Sequence, residues 1–250
     1  GAGSSLAAAR EWNIASDLAT DVPTIGANAG LEGITWVPDT DLVAKGFVDE
    51  STGALYDPAD YPGHGNGLFF VGLEANGALY AYALDQDSTQ LQRIATIESG
   101  FPSVMDLEYD PATELLWAVC DDTCDGRSAI LDVGGAGDAA RAADIGIAAA
   151  PGAFGVVEVV ERPAEMPNVN NEGFAIAPND QCADGVKPVV WSDDNGTGGF
   201  ALREGTIVCT LAEVPGEPTP GPVDPTDPAG PGVPDDGPGA APSGLDAEDG

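Results

Sequence analysis

Basic residues are nearly missing from this chain. Against 42 Asp and Glu it carries eight Lys and Arg and a single His, which leaves a net charge of −34 over 250 residues. Such a surface repels phosphate backbones and anionic lipid, so no nucleic-acid partner is expected. It attracts cations, above all calcium, which takes carboxylate and carbonyl oxygen. The same charge also serves solubility alone, as in concentrated salt. Long apolar runs are missing too. None approaches the roughly 18 residues that cross a membrane as a helix, so no membrane insertion is expected. The lone His64, in "YPGHGNG", disfavours a Ser-His-Asp triad. Neither G-x-S-x-G nor G-x-x-x-x-G-K-[ST] occurs. No residue is singled out as catalytic. The sequence opens GAGSSLAAAR, without Met or a charged-then-apolar leader, and the expectation is that processing or truncation removed the original start.

What is present points to short strands and many turns. Hydrophobic residues make up 43%, enough for a core, and are accompanied by 34 Gly and 21 Pro. Four cysteines, an even number on an acidic Pro/Gly-rich chain, suggest an oxidising compartment and hence a secreted or cell-surface protein. Cys120 and Cys124 lie in the turn-like "VCDDTCDG" and can close a small loop; Cys182 and Cys209 would then pair. Zinc is the competing reading. Against it, the one His is distant and the spacing matches no common zinc knuckle.

An internal repeat organises the middle of the chain. Each copy opens with a strand ending at Pro or Asp-Pro: "EGITWVPD" (32–39), "MDLEYDPA" (105–112) and "EGFAIAPN" (172–179). A second strand follows in each: "GLFFVGLEANG" (67–77), "ELLWAVCDDTCDG" (114–126) and "PVVWSDDNG" (188–196). Third strands are expected at 78–85, 128–134 and 199–205, and fourth strands at 90–99, 155–161 and 206–212. Alternation and β-branched or aromatic content carry these assignments. Trp36, Trp117 and Trp191 fall on repeat strands and are expected in the core. Four strands per unit in tandem predict an all-β fold of β-propeller blades, each of four antiparallel strands. About three blades fit within 28–213, a partial propeller. Residues 1–27 are the end of a preceding blade or a linker, with "REWNIASDL" (10–18) as a candidate outer strand. Residues 214–250 hold ten prolines and no aromatic or basic residue, and are predicted to be a disordered spacer dispensable for folding.

In such a blade the start of strand one and the end of strand two lie at the same face. In the last unit this gathers Asn170, Asn171, Glu172, Asp193, Asp194 and Asn195. The counterparts are Asn28, Glu32 and Glu74 in the first unit, and Asp106, Asp121 and Asp122 in the middle one. Aligned on Pro38 and Pro178, Glu32 matches Glu172 and Gly33 matches Gly173. Carboxylates and amides around a channel mouth suit calcium, and we take Glu32, Glu172, Asn171, Asp193 and Asp194 as candidate ligands. Asp-Asp-Asn-Gly is also ordinary turn sequence. A Glu that twice begins an apolar strand needs a partner.

The segments "LEGITWVPD" and "NNEGFAIAP" resemble the repeated N-x-x-E-G-hydrophobic strand of the phytase-like propeller family ("esterase-like activity of phytase"), over about residues 28–212. The resemblance implies a secreted, calcium-associated propeller that hydrolyses phosphoesters or esters, with the family's acidic positions falling on Glu32 and Glu172. The middle copy departs, with Met105 at the aligned place and Asp106 or Glu108 as the substitute there. A non-catalytic propeller that binds a cell-surface ligand is the alternative.

Overall fold

In a computed structural model, residues 9–134 and 150–210 are described. Both halves of the expected spacer, 214–250, and most of the Ala/Gly-rich stretch after 134 lie outside them. Within the described residues the chain is mostly β, and every strand pair is antiparallel.

Three sheets follow one another along the chain. The first contains β1 (Leu31–Pro38), β4 (Gly67–Leu73), β5 (Ala78–Leu84) and β6 (Leu91–Glu98), paired in that order. The second contains β7 (Asp106–Asp110), β8 (Leu115–Val119), β9 (Ser128–Val133) and β10 (Phe154–Val160). The third contains β11 (Asn171–Ile176), β12 (Val186–Asp193) and β13 (Leu202–Val208). A small ribbon, β2 (Val48–Asp49) with β3 (Ala54–Leu55), and a short helix α2 (Asp39–Ala44) occupy the long first loop. Each sheet is a meander whose first strand lies at one edge, as the repeat predicts.

The first strands of the three sheets are neighbours, with β7 between β1 and β11. The contact is intimate: a Cβ on Gly33 of β1 would stand 2.6 Å from the Leu107 nitrogen of β7, so only glycine fits. Thr35 Oγ1 accepts the Tyr109 N–H at 3.1 Å, and Asp106 accepts the Phe174 N–H.

The first and second sheets are apolar on both faces and the third on one, and the sheets stack through these faces. Leu68, Phe70, Leu79 and Ala81 of the first sheet meet Leu107, Leu116, Ala118, Leu131 and Phe154 of the second. The opposite face of the second sheet, with Leu115, Trp117 and Ile130, meets Phe174, Val189 and Trp191 of the third. There Phe174 lies between Trp117 and Trp191, with ring centroids 5.8 and 5.5 Å away. Trp117 and Trp191 are core residues as expected. Trp36 is not: it covers Gly67 and stays 39% exposed.

Two strand assignments change. Residues 10–18 do not form an outer strand. Asn13 Oδ1 accepts the Ala15 N–H at 3.0 Å at the start of a helical turn, α1 (Ala15–Leu18). Ile14, Leu18, Val22 and Ile25 then pack against Val71, Leu73, Tyr80 and Tyr82 of the first sheet. The expected third and fourth strands of the last unit are one strand. Register between β12 and β13 runs unbroken from Ser192↔Leu202 to Val186↔Val208. Glu204-Gly205 reads as a turn but is mid-strand, because the Trp191 ring lies where a Cβ on Gly205 would be, 2.7 Å away. The third sheet therefore has three strands among the described residues.

The cysteines fall into two pairs at disulfide distance. Cys120 and Cys124 close the loop after β8, with Cα atoms 6.0 Å apart. Cys182 and Cys209, 5.9 Å apart at Cα, tie the turn before β12 to the end of β13. Such pairs are compatible with an extracellular protein. No helix among the described residues is long and apolar enough to cross a membrane.

Candidate functional site

The repeated Glu-Gly has a specific backbone cause. Pairing of β1 with β4 steps from Leu31↔Leu73 to Gly33↔Gly72, so Glu32 is the extra residue of a β-bulge. Pairing of β11 with β12 steps from Asn171↔Asp193 to Gly173↔Ser192, and Glu172 is the extra residue there. Both glutamates are released from the ladder at the same place. The following glycine is required by crowding: a Cβ on Gly173 would meet Ser192 Oγ at 2.7 Å. The two strand pairs close alike, through Glu74 N–H to the Gly30 carbonyl at 2.9 Å and Asp194 N–H to the Asn170 carbonyl at 3.0 Å. In the middle unit Asp106 pairs with Val119 and no shift in register occurs. Met105, at the bulge position, is buried and donates its N–H to the Val119 carbonyl at 2.8 Å.

The ends of the second strands repeat as well. Gly33, Asp106 and Gly173 pair with Gly72, Val119 and Ser192. Two residues beyond each partner stands an acid: Glu74, Asp121 and Asp194. Five carboxylates, Glu32, Glu74, Asp121, Glu172 and Asp194, thus project from three sheets at one end of the first strands.

Their charges act on one another. Partial burial, then the Glu32 and Asp121 carboxylates, hold the Glu74 carboxyl above its ordinary range. Burial also raises Glu172, followed by Glu32 and Asp194, with Glu74 adding to them. Asn170 Nδ2 donates to Glu172 Oε1 at 3.0 Å and opposes that rise. Asp121 is buried, and its Oδ1 accepts the N–H (2.9 Å) and hydroxyl (2.6 Å) of Thr123. Mutual repulsion in an all-oxygen donor set is what a hard cation relieves.

The candidate ligands divide accordingly. Glu32, Glu172 and Asp194 are exposed and belong to this group. Glu74 joins them, as its place in the repeat suggests. Asp193 serves its own turn instead. Its carboxylate accepts the N–H groups of Asn195 (3.1 Å) and Thr197 (2.7 Å) and lies 3.6 Å from Arg203. Burial raises that carboxyl, but the Thr197 and Asn195 donors and Arg203 bring it below the ordinary range. Asn171 is buried in the bulge, its amide nitrogen oriented to the Ser192 (3.2 Å) and Gly173 (3.0 Å) carbonyls. Asp106 is engaged with the third sheet, its Oδ2 accepting the Phe174 N–H.

A buried network in the first loop was not legible in the sequence. His64 Nε2 lies 3.1 Å from both Asp39 Oδ2 and the Tyr56 hydroxyl, and Nδ1 faces the Tyr61 carbonyl. Tyr61 in turn donates to Asp49. Both nitrogens of the only histidine are occupied in holding this loop. The cluster Cys120, Asp121 and Cys124 has a compact geometry that suits a metal, but the two sulfurs are paired with each other.

No family model, curated protein or solved structure matches this chain.

Proposed function

We propose that the three stacked sheets are consecutive blades of a phytase-like propeller and that the acidic mouth binds calcium for hydrolysis of phosphoesters or esters. The observation that carries this reading is the repetition of site geometry: two bulge glutamates, Glu32 and Glu172, and the strand-two acids Glu74 and Asp194, all at equivalent register positions. Structural acids in turns have no need to recur at matched positions and repel one another. The donor set fits calcium, with oxygens only and flexible side chains.

The work of each residue follows from its place. Glu32 and Glu172, freed by the bulges, are the primary ligands. Glu74 and Asp194 complete the oxygen set from the second strands. Gly33 lets β1 approach β7, and Gly173 leaves room for Ser192 beside the second bulge. Asn170 orients Glu172 through its amide. Calcium, when bound, polarises an ester or phosphoryl oxygen and acidifies coordinated water. Because ligand carboxyls must ionise, and Glu74 and Glu172 are shifted upward, calcium affinity falls as pH is lowered through their raised range. Scarce Lys and Arg leave the metal as the counter-charge for an anionic substrate. The disulfide-distance pairs support a secreted or cell-surface location.

A second reading is a non-catalytic propeller that binds a cell-surface ligand, with calcium as a structural ion. The engagement of both His64 nitrogens within the fold favours it, since that removes the one histidine from acid–base duty. Calcium titration calorimetry followed by a phosphoester and ester panel, with calcium and with chelator, separates the readings. Calcium-dependent turnover supports the hydrolase. Calcium binding without turnover supports the binding module, and no calcium binding rejects both forms of the site.

A further inference from the structure

The turn from β12 to β13 reads "DDNGTGGF", residues 193–200. Within it Asn195-Gly196-Thr197 is an Asn-x-Ser/Thr triplet, the acceptor pattern for N-linked saccharides, and the chain holds no other. Such triplets also occur by chance, so position in the fold decides whether one can serve. Asn195 is exposed. Its backbone N–H donates to Asp193 Oδ1 at 3.1 Å, while among the described residues no hydrogen bond engages its side-chain amide. Most other asparagines differ. Asn13, Asn76, Asn168 and Asn170 engage their side chains in the fold, and Asn171 is buried.

The turn holds its shape without the Asn195 amide. The Asp193 carboxylate also accepts the Thr197 N–H at 2.7 Å. Gly196, left-handed at φ +56°, donates to the Asp193 carbonyl at 3.1 Å, and the Gly199 N–H reaches the Gly196 carbonyl at 2.8 Å. A large group on Asn195 Nδ2 therefore breaks no hydrogen bond of the fold. An apolar group is exposed on the same turn. Phe200 is 64% exposed, and Leu202 after it 67%. The Phe200 N–H donates to the Thr197 carbonyl at 3.4 Å, and its ring edge lies 3.9 Å from where a Cβ on Gly198 would stand. The Arg203 guanidinium lies over the ring, 5.8 Å from its centroid. An aromatic face left in water is a platform for the C–H face of a sugar ring.

We propose that Asn195 carries an N-linked saccharide whose first sugar rests on Phe200. The donor is an oligosaccharide carried on a polyprenyl diphosphate. Asn195 Nδ2 attacks the anomeric carbon and an N–C1 bond forms. The C1–O bond to the diphosphate breaks, its electron pair leaves with the lipid diphosphate, and one amide proton passes to a base of the transferase. No oxidant or reductant is required. Thr197 supplies the hydroxyl by which the acceptor is recognised. The two disulfide-distance cysteine pairs are compatible with the export route on which such transfer occurs. The site stands apart from the calcium reading, although Asp194 of the acidic group is the residue before Asn195.

The full chain, secreted from a eukaryotic host and mapped by peptide mass, tests this. Wild type is expected to carry hexose and N-acetylhexosamine on Asn195, and enzymatic release leaves Asp at that position. Thr197→Ser should retain the saccharide, while Thr197→Ala and Asn195→Gln lose it. Secreted wild type with Asn195 unmodified overturns the proposal, as does a saccharide that persists in Thr197→Ala. Should a variant fail to fold, the wild-type map decides. The platform is read by a double-mutant cycle. Glycosylated wild type is expected to melt about 2–4 °C above Asn195→Gln, and the gap should close when both chains carry Phe200→Ala. An equal gap in the two backgrounds would overturn the contact with Phe200.

Discussion

At the residue scale, the Glu-Gly pair joins two constraints at adjacent positions. The glutamate is expelled by a bulge and the glycine is demanded by crowding. Gly33→Ala must push a Cβ into the Leu107 nitrogen at 2.6 Å, backbone that cannot yield cheaply. Denaturant unfolding is expected to show a loss of about 1–3 kcal/mol, and a neutral result would mean the β1–β7 contact is looser than described. Lys187 of β12 pairs with Asp110 of β7, both side chains being buried. Lys187→Met leaves Asp110 buried without its cation, which should cost about 3–5 kcal/mol by the same measurement. The sequence disclosed the glutamates through their repetition. It did not disclose Lys187, since one lysine in "GVKPVV" carries no sign of burial, nor that Asp193 would be consumed by its own turn. "SDDNG" reads as two equal acids, and only register separates the buried Asp193 from the exposed Asp194.

At the element scale, strands were legible wherever a run rich in apolar, β-branched or aromatic residues was flanked by turn residues, as for β4, β5, β8 and β12. The candidate fourth strand after the Ala/Gly-rich stretch is β10, paired with β9. Misreadings came from glycine and from short amphipathic pieces. Gly205 lies under a tryptophan ring rather than in a turn, and the apolar residues of 14–25 cover a sheet face without entering a sheet. Strand β13 has one sheet partner among the described residues and is anchored at its end by the Cys182–Cys209 pair. Replacing both cysteines with Ser is expected to lower stability by about 2–4 kcal/mol and to open β13 first to limited proteolysis. Cleavage elsewhere before β13 would show that the pair is not its anchor.

At the scale of the whole molecule, a chain with so few basic residues must manage its own repulsion. One means of doing so is visible, the buried Lys187–Asp110 pair, and the function proposed above adds another, calcium at the acidic mouth. The latter is the central claim. It requires that the carboxylates of Glu32, Glu74, Glu172 and Asp194 destabilise one another without metal and become an asset with it, because ligand binding to the folded state stabilises by mass action. Scanning calorimetry of wild type and Glu172→Gln near pH 7.5, each in chelator and in millimolar calcium, measures this directly. In chelator the variant should melt at or above wild type, since one repelling charge has gone. In calcium the order should reverse, with wild type gaining several degrees and the variant much less. Equal calcium responses in the two proteins would contradict the site.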